Sequence, residues 1–485
     1  MHYIVRLCPE ITIKSTPVRR RLTRQLRHNL RRLLRAVDPA VTLTGDWEKL
    51  DVWLPEERAE LAPAVEEVLA STPGIAKFSR VRSFPLAGIE EIARRTAEIW
   101  GPRLAGRTFA VRVKRSGEHP FRSVDVERQV GAALLALGGA RGVDLSHPEV
   151  EVRIEVLRDA FHLVDAQQPG LGGFPLGSQG GVLSLVSGGF DSTVASYLCM
   201  RRGLLTHFCF FNLGGRAHER GVKEVSYYLW RRFAASHRVR FVTVPFEEVV
   251  AEILARVEDA YMGVVLKRLM LRAAARVARE LELPALVTGE SVAQVSSQTL
   301  ANLSAIDEAA GMLTLRPLVA MDKGEIIALA RRIGTEPFSA AMPEYCGVIS
   351  VKPTTRARRE RLLAAEAAVA PEVLERALAA RREERIDALS APAEGEAVEI
   401  CAVPRPGDTV VDIRHPDEAR RSPLAAGSAP VLAIPFFELE RRLAELDPAS
   451  PYLLYCDRGV MSRLQAEALR ERGFRRVGVY RPAGS

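Results

Sequence analysis

Apolar positions over the first 165 residues fall mostly in short alternating runs. Residues 108–115 and 150–156 alternate apolar with polar or charged side chains, the period-two pattern of a strand with one buried face, and residues 3–7 read as another strand. Residues 11–15 (ITIKS) read as a further extended piece. Leucines at 22, 26, 30, 33 and 34 instead keep helical spacing, with arginines on the remaining faces. A loop at 117–123 leads into a second helix over 124–137. Residues 167–181, with six glycines and two prolines, read as a linker or hinge. The pattern then changes. Apolar runs at 182–186, 207–211, 239–244, 285–288 and 313–315 alternate with helical stretches such as 221–237 and 266–281, as in a doubly wound parallel α/β sheet. Residues 354–389, rich in Ala, Arg, Glu and Leu, read as one or two helices. A Pro/Ala/Gly/Glu break at 391–397 precedes a last small α/β unit, with strands at 410–414 and 452–455 and a helix over 462–473.

Length and composition narrow the class. At 485 residues the chain is long enough for three or four domains, and 47% hydrophobic with 26% charged residues is a globular composition. No run approaches the apolar length of a membrane span and no signal-peptide core follows Met1, so the expected location is the cytoplasm, with no membrane partner. Six scattered cysteines without a C-x-x-C pair exclude a zinc framework and a secreted disulfide scaffold, and no protein-held metal set is expected. The formal charge of +8 favours a polyanionic partner, and its distribution sharpens this: no acidic residue lies between Ile11 and Asp38. A one-signed helix face of that kind suits a phosphate backbone. Basic alternating strands without a recognition helix or zinc finger suit RNA shape-reading better than major-groove DNA reading.

The chemistry concentrates at a few strand ends. Ser187-Gly188-Gly189-Phe190-Asp191-Ser192 follows an apolar strand and opens a helix. Such a loop aims backbone N–H groups and a helix dipole at one point, and its glycines let the backbone approach an anion. It is not a G-x-x-x-x-G-K-[ST] loop; it reads as a grip for pyrophosphate. Asn212 and Thr288 fall at the carboxyl ends of neighbouring strands, where ligands collect in such sheets. The polar run 288–302 is either a capped helix start or the lining of a nucleotide pocket, and the density of hydrogen-bonding side chains favours the pocket. Asp322 and Glu325 have capping-box spacing, which leaves Lys323 free to reach phosphate oxygens. Cys456 sits where a strand gives way to a helix, a position that stabilises a sulfur anion and suits a carrier of activated sulfur. Cys346, in a loop, is by itself as consistent with packing as with chemistry.

With these motifs in view, the chain resembles the tRNA 4-thiouridine synthetase (tRNA sulfurtransferase) family in its long, rhodanese-tailed form. SGGFDS at 187–192 is similar to that family's pyrophosphatase-type loop, and TGESVAQVSSQTLANLSAID at 288–307 to its next most specific block. VRVKRSGEHPF, within 109–156, resembles a THUMP RNA-binding domain, and EITIKS at 10–15 the ferredoxin-like domain before it. DIRHPDE at 412–418 and YCDRGVMSRLQA at 455–466 resemble the rhodanese domain. One departure is Ala293, where the family pattern leads one to expect glycine.

The resemblance implies a multidomain α/β and α+β protein: ferredoxin-like domain 1–60, THUMP domain 61–166, linker 167–181, PP-loop ATP pyrophosphatase domain with a helical tail 182–390, linker 391–401 and rhodanese-like domain 402–485. It implies ATP and Mg2+ as cofactors, with ATP held by Ser187, Gly188, Gly189, Phe190, Asp191, Ser192, Phe211, Asn212, Lys267, Arg268, Thr288, Gly289, Gln298 and Lys323. tRNA would be met by Lys14, Arg19, Arg20, Arg24, Arg112, Lys114, Arg115 and Arg122. A uridine at tRNA position 8 would be adenylated with help from Asp191. Cys456 would deliver persulfide sulfur from a cysteine desulfurase, and Cys346 would close a Cys346–Cys456 disulfide that a thiol reductant reopens. A thiamine sulfur-carrier protein and a second copy of the chain are further partners to test. Two rivals stay open at this point: another ligase of the same superfamily, amide-forming or 2-thiolating, and an RNA-binding protein whose sulfurtransferase tail follows a degenerate ATP fold.

Overall fold

The computed structural model describes residues 1–482 except 46–48, 214, 341, 343–351, 390–397, 415, 440–441 and 457–459. It divides into two compact units, 1–175 and 176–485.

The first unit is built on β1 (His2–Leu7), α1 (Pro9–Thr12), α2 (Thr16–Val37), β2 (Thr42–Gly45), β3 (Lys49–Trp53), α3 (Ala62–Ser71), β4 (Ile75–Pro85), α4 (Ile89–Trp100), β5 (Thr108–Arg115), α5 (Ser123–Ala136), β6 (Gly142–Val143), β7 (Val150–Val156) and β8 (Ala160–Pro169). All eight strands share one sheet, in the order β2-β3-β1-β4-β8-β7-β5-β6. Alternation decides the faces. Tyr3, Val5 and Leu7 of β1 enter a core with Leu22, Leu26, Leu30 and Leu34 of α2 and Val65 and Leu69 of α3, while Phe161 and Leu163 of β8 pack with Ile92, Trp100, Phe109 and Val130. The first core reaches Ile75 and Phe78, beyond the boundary expected at residue 60. Residues 11–15 are not extended: Pro9, whose missing N–H suits a first helical turn, starts the short helix α1 through Thr12. Residues 167–169 of the expected linker are strand, Gln167 pairing with Ser79 across the sheet. On the remaining sheet face Ser83 Oγ lies 2.9 Å from the Nδ1 atoms of both His2 and His162, and His2 Nε2 pairs with Asp51 at 2.8 Å.

The second unit opens with β9 (Gly181–Leu185), α6 (Phe190–Arg201), β10 (Leu205–Asn212), α7 (Gly215–Leu229), β11 (Arg240–Pro245), α8 (Glu247–Arg256), α9 (Asp259–Glu280), β12 (Ala285–Val287), α10 (Leu300–Asp307), β13 (Leu313–Leu315), α11 (Lys323–Ile333) and α12 (Glu336–Ala340). The five strands are parallel and ordered β13-β12-β9-β10-β11, so successive connections leave β9 in opposite directions. That reversal opens a crevice beyond the carboxyl ends of β9 and β12. Residues 354–389 form α13 (Arg359–Ala367) and α14 (Pro371–Ala379), but they end in a strand, β14 (Arg382–Arg385), antiparallel on the edge beside β11. Its all-charged sequence hides it from a pattern reading and protects a sheet edge from further pairing.

The tail contains β15 (Ile400–Cys401), β16 (Thr409–Asp412), α15 (Pro416–Arg421), β17 (Val431–Ala433), α16 (Phe436–Leu439), β18 (Tyr452–Tyr455), α17 (Val460–Glu471) and β19 (Val477–Tyr480). Its parallel sheet runs β15-β19-β18-β16-β17, which puts the end of β18 at a second reversal point. The break expected at 391–397 lies outside the described residues.

Candidate active site

The crevice at β9 is a cavity of about 400 Å³, within the range of small-ligand sites. Its floor is the turn 186–189. Gly188 adopts φ +83°, and Gly189 caps α6. Serines tie the turn down: the Ser187 amide donates to Ser192 Oγ at 3.2 Å, and Ser192 Oγ lies 3.3 Å from the Gly189 carbonyl. Two of the loop's carbonyls are occupied by side chains of the cavity wall. His218 Nε2 donates to Ser187 O at 3.0 Å, and Ser339 Oγ to Gly188 O at 3.0 Å. Burial draws the His218 pKa below the ordinary imidazole value, against the pull of the Ser187 carbonyl. With these carbonyls already accepting hydrogen bonds, the turn and the N-terminus of α6 leave amides for the cavity, an environment for an anion.

Asp191, in the first turn of α6, is the one acidic residue in the cavity wall among the described residues. Lys323 Nζ reaches its carboxylate at 2.9 and 3.1 Å, and Gln294 Nε2 at 2.9 Å. Lys323 is placed by the expected capping box: Asp322 Oδ1 accepts from the Glu325 amide at 2.9 Å, and Glu325 Oε2 from the Asp322 amide at 3.0 Å. Gly289 touches the loop from the β12 side; a Cβ there would stand 2.5 Å from the Asp191 carbonyl carbon. Beside it, buried Glu290 pairs with Lys267 at 2.9 Å and with Arg316 Nε at 2.9 Å. Burial pushes the Glu290 carboxyl up, but Lys267 and Arg316 outweigh it and hold the group below the ordinary carboxylate range. Val186, Phe210, Phe211, Val264 and Met270 supply the apolar wall a base or sugar face needs.

Of the residues assigned from sequence to the nucleotide, Ser187, Gly189, Phe190, Asp191, Ser192, Phe211, Lys267, Gly289, Gln298 and Lys323 line this cavity. Four do not. Gly188 shapes the turn from behind. Asn212 turns its amide to Glu219 at 3.3 Å, and Thr288 Oγ1 donates to Glu290 at 3.1 Å. Arg268 is buried on another face of α9, paired with Glu366 at 2.5 Å and donating to the Ala305 carbonyl. The sequence reading passed over His218, Gln294, Ser339 and Met342. Gln294 stands inside the polar run already singled out, and His218 lies just past a strand's carboxyl end, the position that could have revealed it.

Cys456, at the end of β18, is only 6% exposed. Its sulfur accepts from the Ser462 amide at 3.4 Å and lies 3.4 Å from Ser462 Oγ, at the start of α17. Its described surroundings mix apolar Ile413, Met461 and Phe338 with Tyr227, Tyr228 and the charged Arg231, Arg414 and Glu418. Asp457 and Arg458 lie outside the described residues, as does Cys346. Burial pushes the thiols of Cys199 and Cys209 up to about 12, which leaves them as packing groups.

In the first unit, Lys14, Arg20, Arg24, Arg112, Lys114 and Arg122 are exposed, and Arg19 and Arg115 half-buried. Acidic neighbours temper two of the exposed ones: Arg112 Nε is 3.7 Å from Glu151, and Arg122 Nε 3.6 Å from Asp125. Arg20 and Arg24 stand one helical turn apart on α2, where the sequence brings no acid.

A glycine turn at a helix N-terminus, at the point where strand order reverses, is the architecture of PP-loop nucleotide-binding domains. Family models extend this along the chain: a thiamine biosynthesis protein (ThiI) model matches residues 177–370, a THUMP domain model 87–164 and a rhodanese-like domain model 399–482. The chain is 49% identical to a tRNA sulfurtransferase of Marinobacter nauticus and 52% identical to one of Azotobacter vinelandii, each alignment covering all of both chains. A crystal structure of a 4-thiouridine synthetase–RNA complex with bound ATP is 27% identical, with a TM-score of 0.68, covering 79% of this chain and 99% of that one. The chain belongs to the tRNA sulfurtransferase family.

Proposed function

We propose that this protein is an ATP-dependent tRNA sulfurtransferase that converts a uridine of tRNA, at position 8, to 4-thiouridine in the cytoplasm. The observation that carries the reading is the phosphate turn at 187–192 converging with Asp191, Lys323 and Lys267 on one cavity. A uridine carbonyl oxygen is a poor leaving group. Adenylation with ATP makes it part of a phosphate ester and frees pyrophosphate, whose charge the amides of the turn and the two lysines would stabilise. Mg2+ bound to the nucleotide phosphates keeps most of its waters and asks for one or two carboxylates, a role Asp191 fits; it would neutralise phosphate charge.

Cys456 then carries the sulfur, received as a persulfide from a cysteine desulfurase. Its outer sulfur attacks C4 of the activated uridine and AMP leaves, joining base and Cys456 through a disulfide. The Cys346 thiolate attacks the Cys456 sulfur, so that the base departs as the thiolated product and a Cys346–Cys456 disulfide remains for a thiol reductant to reopen. The exposed arginines of α2 would meet the tRNA backbone. A thiamine sulfur-carrier protein as a second acceptor and a homodimer are further possibilities to test.

The test is mass analysis of tRNA nucleosides after incubation with ATP, a desulfurase and cysteine. The wild-type protein should yield 4-thiouridine, and Asp191→Ala should abolish it while Cys456 still takes up persulfide. Thiolation by the Asp191→Ala protein would overturn the assignment of the turn, and two free thiols after one turnover without reductant would remove the role of Cys346.

A further inference from the structure

The tail rests on α7, and the contact is built from one face of that helix. Arg220, Glu224, Tyr227 and Tyr228 recur at helical spacing, and Arg231 continues the stripe just beyond the helix end. Arg220 Nη2 pairs with Glu471 at 2.9 Å, Gln465 Nε2 donates to Glu224 at 2.8 Å, and Arg231 lies 3.7 Å from Glu418. Inside this polar rim, Tyr227, Tyr228 and Phe338 line a small pocket of about 20 Å³ together with Ile413, Arg414, Cys456 and Met461. The opposite side of the same elements serves the nucleotide cavity. His218 projects from the other face of α7 to the phosphate turn, and Ser339, next to Phe338, donates to Gly188.

Two consequences follow if Cys456 is the sulfur carrier, the reading on which this inference rests. Uptake requires the Cys456 thiolate to attack the outer sulfur of a donor protein's persulfide in line, the donor leaving as a thiolate; a cysteine 6% exposed, in a small pocket shared with Tyr228 and Phe338, gives a donor protein little room for that approach. Delivery requires the same sulfur to reach a base at the nucleotide cavity, yet Cys456 does not line that cavity and α7 stands between. We infer that the contact on α7 is a resting dock, and that the rhodanese-like unit must leave it both to load sulfur and to deliver it. Its rim holds two half-exposed ion pairs, Arg220–Glu471 and Arg231–Glu418, and one Gln–Glu hydrogen bond, each individually weak, as suits an interface made to open.

Rates of Cys456 alkylation in the full chain, read by peptide mass spectrometry, test this without ATP, tRNA or sulfur. Glu471→Arg sets two positive charges against each other and should speed labelling about three- to tenfold, the scale of one exposed pair turned to repulsion. Arg220→Glu combined with Glu471→Arg should restore the slow rate, which a merely misfolded tail would not. Equal labelling in all three proteins would overturn the dock. In a second arm, made in a Cys346→Ser background so that oxidation leaves Cys456 without its partner, an oxidised Glu224→Cys/Gln465→Cys protein should bind ATP but not load persulfide on Cys456, and reduction should restore loading. Loading at the unlocked rate would also overturn the inference. Absence of persulfide on Cys456 in the unlocked protein would instead count against the carrier reading, and the alkylation rates tell the two failures apart.

Discussion

Gly289→Ala is the smallest change that should disable the cavity. A Cβ at this position would lie 2.5 Å from the Asp191 carbonyl carbon, 2.7 Å from the Ser192 nitrogen and 2.8 Å from the Asp191 oxygen. All three are backbone atoms at the start of α6, so no side chain can swing aside. Gly289 is not in the left-handed region, so alanine meets no conformational penalty of its own and the whole effect is overlap. Relief needs β12 and the phosphate turn to part by about 1 Å. Overpacking of this kind costs about 1–3 kcal/mol, and a shift of ~1 Å at a reacting centre costs on the order of 100-fold in rate. The assay is tRNA-dependent pyrophosphate release at saturating ATP, with the unfolding temperature measured alongside. Gly263→Ala provides the contrast: it also lines the cavity, but nothing lies within 4 Å of its Cβ position, and alanine favours the helix by about 1 kcal/mol. A Gly289→Ala protein with unchanged turnover and unchanged unfolding temperature would refute the reasoning.

Other outcomes can be stated more briefly. Ala293 is held at φ +66°, so Ala293→Gly should relieve about 1 kcal/mol of strain, partly offset by ~0.5 kcal/mol of added freedom in the unfolded chain; calorimetry should show a small rise in unfolding temperature. Arg268→Met should cost about 3 kcal/mol, near the low end for a broken buried pair because Arg272 also pairs with Glu366; adding Glu366→Leu should recover most of it, and ATP affinity of the folded protein should not move. His162 and His207 both have pKa values drawn down to about 4, chiefly by burial. Each stays neutral in the fold while its unfolded counterpart takes up a proton near 6.5, so their contribution is full above about pH 6.5 and is lost progressively as pH falls toward 4. His207→Asn, which keeps an acceptor for the Arg240 amide, should flatten that fall in a pH series of unfolding temperatures. Arg20→Glu with Arg24→Glu should weaken tRNA binding and reduce the slope of log affinity against log salt in a filter-binding titration.

What the sequence made legible was local. The 187–192 turn, the capping box that aims Lys323 and the polar run after β12 each depend on a few adjacent residues, and their identities carry the geometry. The alanine at 293 belongs with them: glycine is expected there by resemblance, and the backbone adopts the conformation glycine favours. Long-range partners were not legible. Lys267 and Arg268 are neighbours in sequence, but the turn of α9 sends one to the cavity and the other into the core, where Glu366, far along the chain, makes its burial tolerable. The strand β14 has no apolar alternation to mark it, since pairing with β11 and ion pairs such as Arg382 to Glu219 hold it in place. The pocket beside Cys456 takes Tyr227 and Tyr228 from α7, neighbours that no pattern near the cysteine could reveal.

The seam between β4 and β8 has a consequence for how this protein can be divided. Nine residue pairs join the two strands, from Lys77–Pro169 to Pro85–Ala160, and Arg6 of β1 reaches Glu155 of β7 at 2.5 Å beyond them. The THUMP match begins at residue 87, after β4 has ended. A fragment cut there would keep β8 but strip its partner, leaving a raw edge of unpaired amides beside apolar Leu163 and Val164, the kind of edge on which chains aggregate. Sequence families mark modules by what recurs, whereas the backbone marks them by what can be separated. By that second measure the smallest portable piece of the RNA-facing half is the whole plate from His2 to Pro169.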